Sequence, residues 1–221
     1  MKGKHEICTM QILVIAATKH EITPLFALNA PIDILITGIG VPSTIYHLQK
    51  RITQMNYDFI IQAGIAGSFN DNIELGQTVI VQQDCFADLG IEENENYTPI
   101  FKTALTNENE FPFENGWLVN SDNDMKYGNL PKVKAITVNK ISDSVLQKQQ
   151  FKNTYNADLE SMEGAALHYV CLQEKISFVQ IRSVSNYVGE RDKTKWKIAE
   201  AIENLNKELA ILINALNHHK G

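Results

Sequence analysis

Cysteine is scarce in this chain, and the three present are dispersed. Cys8, Cys85 and Cys171 form no CxxC pair, so neither a zinc ribbon nor a disulfide framework is indicated. An odd count without an apolar leader suits a reducing cytoplasm. No apolar run approaches the roughly 18 residues of a membrane helix. Basic residues are in deficit: 20 Lys and Arg stand against 26 Asp and Glu, for a formal net charge of −6. That argues against a broad face for duplex nucleic acid. The six histidines show no HExxH or other metal spacing. No repeat or low-complexity block stands out.

What is there is ordinary globular material. Hydrophobic residues make up 44% of the 221 positions and charged residues 21%, close to the usual values, and the length fits one large domain better than two small ones. The first nine residues, MKGKHEICT, are polar and precede Met10. They are expected to be an extension (1–9) ahead of a domain over 10–217, with 218–221 a short tail.

Six short, β-branched apolar runs read as strands covered on both faces. They are 11–16 (QILVIA), 32–37 (IDILIT), 58–63 (DFIIQA), 77–83 (QTVIVQQ), 133–138 (VKAITV) and 177–183 (SFVQIRS). Helices are predicted between them. One begins after Gly40, with Pro42 in its first turn and Ile45, Leu48, Ile52 and Met55 at helical spacing. Another covers 163–174. The last runs from about 195 to 217 with a stripe from Ile198 to Leu216. Strands alternating with helices predict an α/β fold with a mostly parallel or mixed twisted sheet. In such sheets ligands sit beyond the carboxyl ends of the strands. Residues 84–131, rich in Asn, Glu, Pro and Gly, read as a long insertion, a lid or an oligomer contact.

Five constellations fall near those strand ends. Lys19-His20-Glu21 follows the first strand; taken alone, Glu21 is a helix-start acid. Gly38-Ile39-Gly40 lies between a strand and a helix. A dinucleotide site would want a third glycine where Ser43 stands, and an acid at the end of the next strand, which Asp58 instead begins. The pair is then a tight turn, or a place where a ligand approaches the backbone. Gln62-Ala63-Gly64-Ile65-Ala66-Gly67-Ser68 ends a strand with small residues. It reads as a tight loop or as a pocket lined by backbone N–H groups. Glu160 and Glu163 flank Ser161-Met162. Both are solvated first-turn acids, or one enters a pocket and accepts hydrogen bonds from a diol. Arg182 to Lys193 follows the last strand; Asn186 forms an Asx turn or meets a ligand, and Glu190 to Lys193 is a self-paired charge run or a binding segment.

The order of these features carries more than any one of them. A glutamate after strand one, a GIG turn, an xxGxAG loop, a ME[GA]A helix start and an RxxS[DN] strand end resemble the nucleoside phosphorylase/nucleosidase superfamily, from about residue 10 to 213. The likeness is greatest to the branch of methylthioadenosine/S-adenosylhomocysteine nucleosidases, and SNYVGERDKTKW (185–196) looks like its futalosine-hydrolysing members. The resemblance implies a single-domain three-layer αβα fold, a purine nucleoside as small-molecule substrate, no cofactor and no metal, no nucleic acid or membrane partner, and a homo-oligomer, commonly a dimer. It implies that Glu21 positions and deprotonates the attacking water, that Met162 packs on the ribose and that Glu163 binds the ribose hydroxyls. It places Asn186 at the base, Ala66 and Gly67 beside the ribose and water, and Gly38 and Gly40 in the substrate turn. Ile141 aligns with a residue that packs on the base.

Two departures bear on substrate and reaction. Adenine-specific relatives carry aspartate where Asn186 stands. An asparagine amide has two N–H donors for the N7 and O6 acceptors of hypoxanthine, so a 6-oxopurine is expected. Phosphorylases carry arginine where Gln62 stands. Without it a phosphate dianion binds poorly, so water is the expected nucleophile. Arg182 as a substitute phosphate ligand keeps a phosphorylase open, and an idle nucleoside sensor is the reading of a different class. Arg191 or Lys193 is expected to meet the benzoate-type carboxylate of futalosine.

Overall fold

The computed structural model describes residues 10–27, 30–94, 96–121, 129–141 and 143–218. The expected extension 1–9 lies outside the described residues, as does the tail beyond residue 218. Among the described residues, ten strands and four α-helices run in the order β1 (Ile12–Ala16), β2 (Ile32–Ile36), α1 (Val41–Ile52), β3 (Phe59–Ser68), β4 (Thr78–Asp84), β5 (Gly90–Glu93), β6 (Asn96–Pro99), β7 (Leu118–Val119), β8 (Lys132–Thr137), α2 (Val145–Tyr155), β9 (Leu159–Ser161), α3 (Gly164–Glu174), β10 (Ser177–Tyr187) and α4 (Ile198–His218).

Eight strands form one mixed sheet, and β5 and β6 form a separate hairpin. β2, β1, β3 and β10 are parallel neighbours. β10 then pairs antiparallel with β4, β4 parallel with β8, β8 parallel with β9, and β9 antiparallel with β3. The sheet therefore closes a circuit of five strands. Ala66, Val79, Val81, Val133, Ala135, Leu159 and Val184, at least one from each strand, fill it. The open wing is layered as expected. Leu13, Ile15 and Ile60 face Leu48 of α1 and Leu167, Val170 and Cys171 of α3. The alternate residues Ile12, Val14, Phe59 and Ile61 face Leu205, Leu209, Leu212 and Ile213 of α4. Period-2 alternation in the strands thus divides the apolar residues between two helix layers.

Two expectations need correction, and one helix was not among those predicted. β3 runs on to Ser68, so the small residues from Ala63 to Gly67 are sheet rather than a tight loop; they let neighbouring side chains lie close. Glu160 belongs to a short strand, not to the helix start. α2 carries weak helical patterning, with Phe151 its buried residue, but Ser144 caps it by accepting from Gln147 N–H. Within the 84–131 stretch lie the β5–β6 hairpin and β7, which pairs with the end of β4.

Candidate active site

Glu21 lies in a 3-10 turn, His20–Ala27, that follows β1 at its carboxyl end. Its side chain is held from two sides. Oε2 accepts from Thr18 N–H and Thr18 Oγ1, both at 2.9 Å, and Oε1 accepts from Ile65 N–H at 3.2 Å. The residue is 8% exposed. Its carbonyl accepts from Asn206 Nδ2 of α4, so β3 and α4 both fix its position.

Glu163 occupies the N-cap position of α3, yet its side chain does not cap that helix. Oε1 accepts from Gly40 N–H at 3.0 Å, joining residues 123 apart in sequence. Gly40 adopts φ of +89°, a conformation glycine takes without strain. Oε2 lies 3.7 Å from Arg182 Nη1, with both side chains buried. Arg182 Nη2 donates to Gln62 Oε1 at 3.0 Å, and Gln62 Nε2 reaches the Glu163 carbonyl at 3.4 Å. Burial pushes the Glu163 carboxyl up; Arg182 and the Gly40 N–H oppose this, and Glu21 adds to it. The solvated-acid alternative does not hold for Glu163.

Glycine is required at position 64. A Cβ there would stand 2.2 Å from Arg182 Nη1 and 3.1 Å from Glu21 Oε1. The Glu21 carboxylate and the guanidinium thus converge on one bare patch of β3, and Glu163 lies beside the same guanidinium. Behind Arg182 lies a second buried group. Asp84 Oδ1 accepts from Thr137 Oγ1 and Cys85 N–H, and Thr137 Oγ1 accepts from Ala165 N–H in the first turn of α3. Burial pushes the Asp84 carboxyl up to about 7 and His168 down to about 4.

Asn186 follows a β-bulge at the carboxyl end of β10. Its Oδ1 accepts from Ser185 Oγ at 2.8 Å, and its Nδ2 donates to the Tyr187 carbonyl at 3.1 Å. Reversing the amide would set Oδ1 against that carbonyl, so the orientation is assigned by the network. One N–H remains for a ligand. Asn186 pairs with Gly67, and Ala66 with Val184. Met162 is half-buried between Ser161 and Glu163. Gly38 adopts φ of +81°, and Ser43 Oγ donates to the carbonyl of Thr37 beside it.

Glu21, Gly40, Glu163, Ala66, Gly67 and Asn186 are thereby brought to one end of the sheet. Ile141 is exposed, and its carbonyl accepts from Arg191 Nη2 at 3.4 Å. Arg191 also pairs with Asp143 at 3.7 Å. Lys193 is exposed, on the 3-10 turn Lys193–Lys195, and no contact ties it to Glu163 or Asn186 among the described residues. Part of the 190–195 run is self-paired: Lys195 Nζ meets Glu190 Oε2 at 2.8 Å.

Residues 27–217 match the family described as the phosphorylase superfamily. The chain belongs to that superfamily. It is 27% identical over 183 residues to a futalosine hydrolase of Thermus thermophilus, covering 81% of this chain and 80% of the relative. It is 28% identical over 172 residues to a 5'-methylthioadenosine/S-adenosylhomocysteine nucleosidase of Buchnera aphidicola, covering 70% and 66%. The structure of futalosine hydrolase of Helicobacter pylori superposes with a TM-score of 0.77 at 16% identity, over 93% of this chain and 98% of that one; at that identity the likeness is one of fold. In this superfamily member Gln62 and Glu163 occupy both ends of the Arg182 guanidinium. Sequence reasoning weighed Arg182 as a phosphate ligand and missed this pairing, because β3, β10 and the start of α3 meet only in the fold.

Proposed function

We propose that the protein is a nucleosidase that hydrolyses futalosine, releasing hypoxanthine and dehypoxanthine futalosine in menaquinone biosynthesis. The observation that carries the hydrolytic reading is the Gln62–Arg182–Glu163 arrangement. Among the described residues Arg182 is the one buried cation near the site, and its terminal nitrogens already face Gln62 and Glu163, so a phosphate dianion would have to compete there with a buried carboxylate. Water needs only an acceptor, and Glu21 supplies one. The relatives named as futalosine hydrolases support the substrate, as does the donor presented by Asn186.

The chemistry follows from the charges. Water attacks the anomeric carbon as the bond from that carbon to the base nitrogen breaks, and the electron pair leaves with the purine. Positive charge grows on the sugar, where Glu163 stands and accepts from the ribose hydroxyls. Negative charge grows on the base, where the Asn186 N–H donates. Glu21 takes the proton from the water, and the departing purine gains one, so the net change is addition of water.

The test is incubation with futalosine in phosphate-free buffer, read by chromatography. Hypoxanthine release is expected. A rate that appears only on adding phosphate identifies a phosphorylase; adenine release from a 6-amino nucleoside in place of hypoxanthine release overturns the base assignment. For the far carboxylate of futalosine, Lys193 is the cation to test, because Arg191 already meets Asp143 and the Ile141 carbonyl. Lys193→Ala raises KM for futalosine by roughly fivefold at most, the factor for about 1 kcal/mol from an exposed pair. Inosine, which lacks that carboxylate, is unaffected; equal changes for both substrates remove Lys193 from the role.

A further inference from the structure

Glu160 is a carboxylate that the reaction above leaves unused, and it shares a rung of the sheet with Asn186. Gly67 of β3 pairs with Glu160 of β9 on one side and Asn186 of β10 on the other. Paired residues on adjacent strands project to the same face. That face is the outer one, because the alternate residues Ala66, Leu159 and Val184 fill the closed circuit. Gly67 has no side chain, so Glu160 and Asn186 stand on either side of a bare rung, with Cα atoms on the order of 10 Å apart, two strand spacings, and Val188 lies over part of it. A Cβ on Gly67 would stand 3.4 Å from Asn186 Nδ2 and 3.1 Å from Val188 Cγ2, which places the rung on the base side of the site.

A 6-oxopurine presents N7 and O6 as acceptors and N1–H as a donor along one edge. Asn186 has one N–H left to serve that pair of acceptors. The donor needs an acceptor further along the same rung, and an ionised carboxylate only accepts. We propose that Glu160 accepts the N1–H of the purine and, with Asn186, sets the preference for a 6-oxo over a 6-amino base. The proposal rests on the nucleosidase reading above. Adenine carries a lone pair at N1, which would face the carboxylate without a proton between them, a contact that discriminates strongly when buried.

The surroundings tune this carboxyl. Ile136 of β8 pairs with Glu160 and is fully buried, and Gly67 adds no charge. Burial pushes the Glu160 carboxyl up to about 7; Arg191, from the loop after β10, opposes this, and Asp88, from the segment after β4, adds to it. Arg191 is anchored by Asp143. Asp88 is anchored by Asn139 Nδ2 at 3.2 Å and by the Asn139 N–H. The accepting form therefore prevails above neutral pH in the free protein.

The test is kcat/KM of the wild type and of Glu160→Gln for inosine, futalosine and adenosine between pH 5 and 9. Wild-type values for both 6-oxo substrates should rise with pH through about 7. The variant should lose that limb. A glutamine amide can donate to adenine N1, so the inosine-to-adenosine ratio should fall at least tenfold, one hydrogen bond to a charged group. Glu160→Leu should lose inosine cleavage without gaining adenosine. An unchanged ratio and an unchanged pH profile in Glu160→Gln overturn the Glu160 assignment and leave the nucleosidase reading intact. Failure of the wild type to release base from any of the three nucleosides overturns that reading instead. Should the variants not fold, the wild type still decides: 1-methylinosine, which has no N1–H, should be cleaved at least tenfold more slowly than inosine, and equal rates overturn the proposal.

Discussion

Replacing Glu21 by glutamine is expected to lower kcat by about three orders of magnitude while KM changes only a few-fold. Two effects combine. The amide is no base at neutral pH, and positioned general bases contribute roughly 10²- to 10⁴-fold. The amide also fits the site poorly. Both carboxylate oxygens accept hydrogen bonds, one from Thr18 N–H and Oγ1 and the other from Ile65 N–H. Glutamine has one acceptor oxygen, so its NH2 group must oppose one of those backbone donors. The volume is conserved and Glu21 does not meet the purine, so binding persists. Steady-state kinetics separates the two quantities. Turnover above a tenth of wild type would move the general base elsewhere.

The sequence reading reached the sheet strands and the individual site residues through local signals. Ile12–Ala16 and Phe59–Ala63 are apolar runs with polar or small neighbours, and they pack between two helix layers as such runs must. The GIG turn and Glu163 were named separately; their hydrogen bond spans 123 residues, a distance at which no local pattern exists. The circuit of β3, β10, β4, β8 and β9 was not legible for the same reason. Closure depends on β9, three residues long, which is too short for period-2 alternation to register. In sequence Glu160 and Glu163 look alike, two acids flanking Ser161-Met162 of which both are solvated or one enters a pocket. Their difference is set by partners: Gly67 and Ile136 across the sheet for one, Gly40 and Arg182 for the other. Asp84 carries no signal in sequence, since a single acid at a strand end is most often solvated.

Glu163→Gln should separate catalysis from stability. The variant is expected to lose roughly 10²- to 10³-fold in kcat/KM, the usual consequence of deleting one electrostatic stabiliser of a transition state. Its stability should respond in the opposite sense. Removing one partner of a buried ion pair ordinarily costs about 3–5 kcal/mol, but the pair here is loose, at 3.7 Å, beyond hydrogen-bond range. Burial outweighs Arg182, and the carboxyl sits above its ordinary value in the folded protein. The sign follows. The contribution of Glu163 to stability is fully present below its unfolded value and is lost as pH rises through the folded one. Glutamine does not titrate, and its oxygen can keep the Gly40 N–H. The variant should therefore lie within about 1 kcal/mol of wild type at pH 5 and gain on it toward pH 8. Urea denaturation at the two pH values measures this. A loss of 3 kcal/mol or more at both would mean that attraction to Arg182 exceeds the cost of burial, and that Glu163 holds the fold together as well as the ribose. A loss confined to activity would mark it as a carboxylate retained at the expense of stability for the charge it places against the sugar.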